Sequence, residues 1–442
     1  MYLTTAGTLK PHPTNSRYFT DNSGKAIWLT GSHTWATLQE RRLPETPELD
    51  YDQYLDWMVS LGHNFLRMWT WEHATWMQFT PGRLVYYPTI YQRTGPGKAL
   101  DGEPKFDLTK LNPEWFDRLR ARVEKAGRKG IYVSVMFFQG FSLCKNGGSP
   151  YKHLAYKGHP FHKENNINGI DGSPDGSGTG EQVHTLDVPA ITELQKRFIT
   201  KVIDTVGDFD HVLWEIANEA HAGSVDWQYH LIDFVHKIES NRPKQHPVGM
   251  TGAPITTDQC MASNADWISP SHDKGFRSAP PIADGRKVII ADTDHFAPWD
   301  AFMDPALPWR MLTRGHNFIL MDPYMDARFG SPRVPVLDWN PIRAQMGHAL
   351  RLSRLVDLAT ALPHPELCSA GHCLANPGHE YLAYQPTGPS LTLDLGAAKG
   401  MLSVTWLNEA TGELVDGGDI EGGATREMRI PFWGGAGVVV KA

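Results

Sequence analysis

The sequence predicts an α/β fold, a (β/α)8 TIM barrel followed by a small antiparallel β-sandwich. Three observations carry that prediction. Eight apolar, β-branched or aromatic runs punctuate residues 25–325, most of them separated by helical patterns. Their apolar character is continuous rather than alternating, as parallel strands buried on both faces require. From about Leu362 onward the texture changes to short strands broken by Gly, Pro and Asn, the pattern of an all-β sandwich. A chain of 442 residues has room for both, since a barrel of this kind takes about 250 residues or more.

The elements follow in order. Arg17–Thr20 and Ala26–Leu29 flank Asp21-Asn22-Ser23-Gly24, a hairpin expected over the barrel floor. The eight barrel runs are Ala26–Ser32, Asn64–Trp71, Ile131–Phe138, Val212–Ala217, Pro247–Thr251, Trp267–Pro270, Val288–Ala291 and Phe318–Met321. Helices are expected at Tyr51–Leu61, Glu114–Lys129, Val188–Val206, Val225–Ser240, Pro305–Arg314 and Pro341–Thr360. Pro113 after Asn112 starts the second of these, and Gly130 closes it. Between the fifth, sixth and seventh runs the helical signal is short. Residues 139–187, after the third run, form an insertion too long for an ordinary connection. Its place after a barrel strand predicts a loop that walls the cleft, with a mobile stretch around Gly172–Gly180. The barrel is thus expected over 1–361 and the sandwich over 362–442, with strands at Glu380–Gln385, Ser390–Leu395, Leu402–Leu407 and Gly437–Val440.

A net charge of −7 and a pI near 6.3 give no electrostatic footprint for nucleic acid or an anionic membrane. No apolar run approaches the roughly 20 residues that span a bilayer. Met1–Thr5 lacks a basic segment followed by an apolar one, which predicts a cytoplasmic protein, or a secreted or periplasmic one if a leader has been removed. Four cysteines are too few for a disulfide framework, and Cys368 and Cys373 can be a pair or two thiols. The 15 Trp and 14 Tyr suit sugar stacking as well as packing. Nothing in the sequence sets an oligomeric state or calls for a cofactor.

The chemistry concentrates at two strand ends. Val212-Leu213-Trp214-Glu215-Ile216-Ala217-Asn218-Glu219 delivers an Asn-Glu pair to the end of the fourth strand. Val288-Ile289-Ile290-Ala291-Asp292-Thr293-Asp294-His295 repeats the design at the seventh. Two carboxyl groups facing each other across a sugar-sized gap are the minimum for cleaving a glycosidic bond. Glu219 is expected as general acid, holding a proton until the leaving oxygen takes it. Asn218 would bond the hydroxyl beside the reacting carbon, and Glu215, deeper in the barrel, could pair with a base. Asp292 is preferred as the attacking group over Asp294, because it follows the apolar run directly; the alternative is that Asp292-Thr293-Asp294 caps a helix.

Arg67 lies inside an apolar run and demands a carboxylate partner, with the task of holding the strand-seven acid ionised. His33 and Trp35 after the first strand, Trp69, Trp71 and Glu72 after the second, His272 after the sixth and Asp322 and Tyr324 after the eighth are candidate sugar contacts. The insertion adds His162, Asn165, Asn166 and Asn168 as hydroxyl readers. Asp292, Asp294 and His295, joined by His33 or His272, make a divalent-metal site the rival reading, although no metal-binding motif is present and His295 equally suits a sugar contact.

Arg67, Asn218-Glu219 and an acid after the seventh strand resemble the clan A retaining glycoside hydrolases. More closely, Trp28-Leu29-Thr30-Gly31-Ser32-His33-Thr34-Trp35 is similar to the apiosidase-like bacterial barrels with a C-terminal domain once labelled collagen-binding. Tyr381–Gly388, Leu393-Asp394-Leu395 and Trp406-Leu407-Asn408 stand where that domain's signature would be. The resemblance implies a β-glycosidase acting on oligo- or polysaccharide of plant or microbial origin, with Glu219 as acid/base and the strand-seven acid as nucleophile. Asp292 stands where the clan usually has Glu. The shorter side chain leaves open a wider gap that admits water and inverts the product. A non-catalytic carbohydrate-binding protein and a metal-dependent barrel hydrolase are the two competing readings.

Overall fold

The computed structural model describes residues 5–43, 47–78, 80–143, 149–295, 304–324 and 337–442. Eight parallel strands form the barrel: β1 (Thr30–His33), β2 (Phe65–Met68), β3 (Tyr132–Gln139), β4 (Val212–Asn218), β5 (Val248–Thr251), β6 (Trp267–Ser269), β7 (Val288–Asp292) and β8 (Asn317–Met321). Their ladder order is β1-β8-β7-β6-β5-β4-β3-β2, each strand beside its neighbour in sequence. Asn64 closes the remaining seam between β1 and β2. Its backbone N–H donates to the Thr30 carbonyl at 2.9 Å, and its side-chain oxygen accepts the Thr30 N–H at 2.9 Å. A Cβ at Gly31 would overlap the Phe65 carbonyl, so only glycine lets the two strands approach this closely.

The helical layer comprises α1 (Tyr51–Ser60), α2 (Pro113–Arg128), α3 (Pro189–Val206), α4 (Val225–Glu239), α5 (Thr257–Ala262), α6 (Leu307–Thr313) and α7 (Asn340–Ser353). Asp50 and Asn112 cap α1 and α2 by accepting backbone N–H groups of the first turn. A reciprocal capping box between Thr256 and Gln259 starts the short α5, which the sequence signal missed. Among the described residues the β6–β7 connection holds a 3-10 turn (His272–Lys274) in place of a helix. α7 also stops seven residues short of the expected Thr360. None of the described helices is long and apolar enough to cross a membrane.

Two excursions break the regular pattern. Between β2 and α2 the chain forms antiparallel strands at Thr75–Met77, Thr80–Tyr87, Tyr91–Lys98 and Pro104–Leu111. The long insertion after β3 packs on the last of these: Phe106 N–H donates to the Asn165 carbonyl, and Leu108 N–H to the Asn168 side chain, both at 2.8 Å. The stretch around Gly172–Gly180 holds a series of capped turns. Asp175 accepts from Ser177 N–H at 3.0 Å and from the Gln182 amide at 2.8 Å. The floor hairpin is rearranged, with Phe19–Thr20 pairing Lys10–Pro11 and a single bridge joining Phe19 to Ile27.

From Leu362 the chain is antiparallel β-structure. Sandwich strands Cys373–Asn376, Glu380–Gln385, Met401–Asn408, Leu414–Glu421 and Ala436–Lys441 share one sheet, and Ser390–Asp394 pairs with Thr425–Arg429 in another. Strand alternation divides the large sheet. Ala436, Val438 and Val440 face the sandwich core with Leu393 and Trp406, while Val439, Leu382 and Leu407 join the barrel core. Tyr384 stacks on Trp309 of α6 with centroids 4.8 Å apart. Tyr381 and Tyr384 are buried, whereas Trp433 is 97% exposed. Cys260, Cys368 and Cys373 are buried thiols; Cys144 lies outside the described residues.

Candidate active site

The barrel interior is built in rungs two residues apart. Phe65, Leu213, Trp267 and Ile290 form an apolar plug at the lower rung. Two positions further along the same strands stand Arg67, Glu215, Ser269 and Asp292. This puts a charged layer directly above the plug and away from the solvent-exposed surface: Arg67 is 1% exposed, and Glu215 and Asp292 are 0% exposed.

Arg67 organises this layer. Its Nε donates to Glu215 at 2.8 Å, and its two terminal nitrogens donate to Glu215 and Asp292. Nη2 also donates to Asn218 Oδ1 at 2.7 Å. A guanidinium only donates, so Asn218 must turn its oxygen inward. Its amide nitrogen then faces Gln139 Oε1 at 3.3 Å and Asp294 Oδ2 at 3.2 Å. Burial alone would raise the Asp292 pKa, but the His33 ring and the Arg67 guanidinium outweigh it and hold the carboxyl well below the usual range. Burial likewise disfavours the Arg67 cation, and Glu215 and Asp292 more than compensate, raising its pKa.

The turn after β7 carries three further groups. Asp292 Oδ1 accepts the Asp294 N–H at 2.9 Å, which folds the chain so that Asp294 rises beside Asn218. Asp294 lies 4.0 Å from the Arg67 guanidinium and keeps 9% of its side chain exposed. His295 bonds Asn218 Oδ1 at 3.0 Å through Nε2 and Ser269 at 2.9 Å through Nδ1. At the end of β4, Glu219 is 8% exposed and adopts φ +44°, a left-handed conformation that a non-glycine residue enters at a cost. A Cβ at Gly140 would overlap the Glu219 carbonyl, so Gly140 makes room for that turn.

His33, Arg67, Glu215, Asn218, Asp292, Asp294 and His295 are thus one hydrogen-bonded cluster, with Glu219 next in sequence to Asn218. Several expected sugar contacts lie elsewhere. Trp69 and Trp71 are each 1% exposed; Trp69 donates to His33, and Trp71 is packed against Tyr86 and donates to the Trp35 carbonyl. Trp35 is half-buried, with Arg41 over its ring. Glu72 is buried beneath the insertion, where His184 at 2.9 Å, His159 at 3.5 Å and the Gln139 N–H occupy its oxygens. Burial raises its pKa, and the two imidazoles overturn that and lower it.

Asn166 uses its amide wholly within the insertion, on Pro160, His162, Asn168 and Ile170, whereas Asn165 donates to the Lys157 and His159 carbonyls inside it and accepts the Leu100 N–H outside it. His162 packs on Tyr156, and His272 is exposed beyond β6. Tyr324 leans outward onto Tyr54 and Trp57 of α1, and Asp322 is clamped by Arg343. Sequence reasoning missed Gln139 and Ser269. Their signal was a polar residue at the last position of β3 and of β6.

Among the described residues, no three His, Cys, Asp or Glu side chains are disposed to hold a metal ion. Asp292 turns its oxygens to Arg67 and His33, and His295 turns both ring nitrogens to protein partners. Asp292 and His295, two of the donors offered for the metal-site reading, are therefore committed to hydrogen bonds.

A family model described as "Domain of unknown function (DUF6298)" matches residues 80–266. No curated protein matches the chain. Among solved structures, one described as "Glycoside hydrolase" is 13% identical with a TM-score of 0.61, covering 98% of this chain and 97% of its own. A glycoside hydrolase family 5 protein from Bacteroides vulgatus ATCC 8482 is also 13% identical, with a TM-score of 0.64 over 98% of this chain and 94% of its own. An endogalactoceramidase matches at 13% identity with a TM-score of 0.50, over 99% and 100% of the two chains. The chain shares the architecture of these proteins from end to end, an eight-stranded parallel barrel with antiparallel sheets appended.

Proposed function

We propose that this protein is a glycoside hydrolase that cleaves β-linked glycosides of plant or microbial polysaccharides with retention of configuration. Glu219 is the acid/base, and Asp294, rather than Asp292, is the attacking carboxylate. The observation that carries the reading is the Asn218–Asp294 hydrogen bond, which brings the strand-seven acid beside the residue that precedes Glu219. Asp292 is a poor nucleophile for a physical reason. It is 0% exposed, and both its oxygens are engaged by His33, Arg67 and the Asp294 N–H, so an anomeric carbon has no path to it.

In the proposed reaction the Glu219 carboxyl gives its proton to the glycosidic oxygen as that bond to the anomeric carbon breaks. Asp294 forms an ester bond to the same carbon. The Glu219 carboxylate then takes a proton from water, whose oxygen displaces Asp294 and releases the sugar. Arg67 and Asn218 would steady Asp294 as its charge is lost and regained. The similarity of Trp28–Trp35 to the apiosidase-like barrels supports plant polysaccharide within this substrate class.

Glu219→Gln should lose about 10²–10⁴-fold activity on natural glycosides and much less on an aryl glycoside that needs little protonation. Equal loss on both would remove Glu219 from the acid role. Asp294→Ala should be inactive on the aryl glycoside and partly restored by azide, whereas Asp292→Ala should not be restored. If the wild-type protein releases no reducing sugar from any glycan in a broad panel, the hydrolase reading fails.

A further inference from the structure

We propose that Trp69 and His33 form a positioning relay that fixes Asp292, and through it the main chain of Asp294, instead of lining a sugar subsite. The functional part of this proposal rests on Asp294 being the attacking carboxylate. An indole N–H can only donate, so the 2.7 Å contact from Trp69 Nε1 makes His33 Nδ1 an acceptor. The ring proton of His33 then resides on Nε2, which faces the Asp292 oxygens at 3.0 and 3.1 Å. Asp292 in turn accepts the Asp294 N–H at 2.9 Å. Three consecutive hydrogen bonds connect a buried indole to the backbone of the candidate nucleophile.

The relay also controls charge. The groups around His33 are Arg67 on β2, Glu215 on β4 through Arg67, and Asp292, Asp294 and His295 at the end of β7. Asp322 lies at the end of β8, where its N–H donates to the His33 carbonyl and its carboxylate is held by Arg343. A cationic His33 would stand beside two fully buried carboxylates that share one guanidinium, with a third 4.0 Å away, and would carry a second ring proton. That proton would have to sit on Nδ1, where the Trp69 N–H already points. Trp69 therefore keeps an imidazolium from forming beside Asp292, and leaves proton exchange at the site to Glu219.

Trp69→Phe removes the donor and keeps an aromatic ring. In imidazole ¹⁵N NMR of the wild-type protein, His33 should hold the Nε2–H form from about pH 5 to 8. In the variant it should titrate within that range. On a cleaved aryl glycoside, kcat/KM of Trp69→Phe should gain a new acid limb below about pH 6.5, with a loss of about thirtyfold by pH 5. The double variant Trp69→Phe/His33→Gln should lack that limb, because an amide keeps a donor toward Asp292 and takes no proton.

A wild-type His33 that carries its proton on Nδ1, or that titrates as it does in the variant, overturns the proposal. So does a double variant that keeps the limb. The NMR measurement needs no substrate, so it stands even if no glycan is cleaved. Should Trp69→Phe fail to fold, His33→Gln alone should retain the wild-type pH profile; a profile shifted on its acid side would refute the relay.

Discussion

Arg67 brings one positive charge to two fully buried carboxylates, and its removal would strand both. Buried ion pairs are weak evidence of net stability, yet breaking one is costly. Arg67→Met should lower unfolding stability by about 3–5 kcal/mol in urea titration, as expected for a buried charge left unpaired. Buried histidines give a separate pH signature. Burial lowers the pKa of His63 to about 4, against 6.5 for a free imidazole. With the folded-state value depressed, this contribution is complete above about pH 6.5 and is lost as pH falls toward 4, amounting to about 3 kcal/mol. Tm should drop across that window, and His63→Gln should flatten the drop; an unchanged slope would remove His63 as its source. At this scale the sequence was only partly legible. Arg67 stood out as a charge inside an apolar run, and Asn218, Glu219 and the strand-seven acids as polar residues ending one. The choice between Asp292 and Asp294 did not, because it turns on one rung of depth inside a barrel whose stagger no local pattern encodes. Glu72 and Asn166 looked like sugar contacts because a polar side chain that organises a loop has the same composition as one that reads a hydroxyl.

The β1–β2 seam is where single elements are most exposed to mutation. Gly31→Ala would force a methyl into the Phe65 carbonyl and separate the strands, so the variant should be insoluble or strongly destabilised. Gly178→Ala is the control, because the same change meets only open space there and costs backbone strain alone at φ +69°. Comparable melting temperatures for the two would show that the seam tolerates opening. All eight barrel strands were legible, since continuous apolar runs have few other uses at that length. The strands between β2 and α2 were not. Thr80-Pro81-Gly82-Arg83 begins one of them with a helix breaker and a charge, and its alternating burial reflects pairing with other excursions rather than with the barrel. α5 was missed because six residues give too little periodicity to register.

For the molecule as a whole, the sandwich acts as a support for α6 and α7. Gln345 donates to the Glu409 carbonyl at 2.8 Å, Arg351 donates to the Gly412 carbonyl at 2.8 Å, and Tyr384 covers Trp309. Aromatic stacking of this kind contributes about 0.5–1.5 kcal/mol beyond the area it buries. Tyr384→Ala should therefore lower Tm while leaving the pH profile of any hydrolase activity unaltered; a shifted profile would mean that the sandwich reaches the chemistry. The change of texture near Leu362 was visible in the sequence, but the two-faced sheet was not, because a continuous apolar run such as Ala436–Val440 shows that both faces are buried without saying against what.

The insertion after β3 has a lasting consequence. Asn165 and Asn166 satisfy its backbone from within, and Glu72 fastens it to the barrel through two histidines. Its tip can therefore accept new residues without disturbing Arg67, Asn218 or the acids. Under the proposed hydrolase reading, which glycan fits can change while the residues at the strand ends stay fixed, so related chains should diverge fastest at the open turns around Gly176 and Gly178 and slowest at the strand ends.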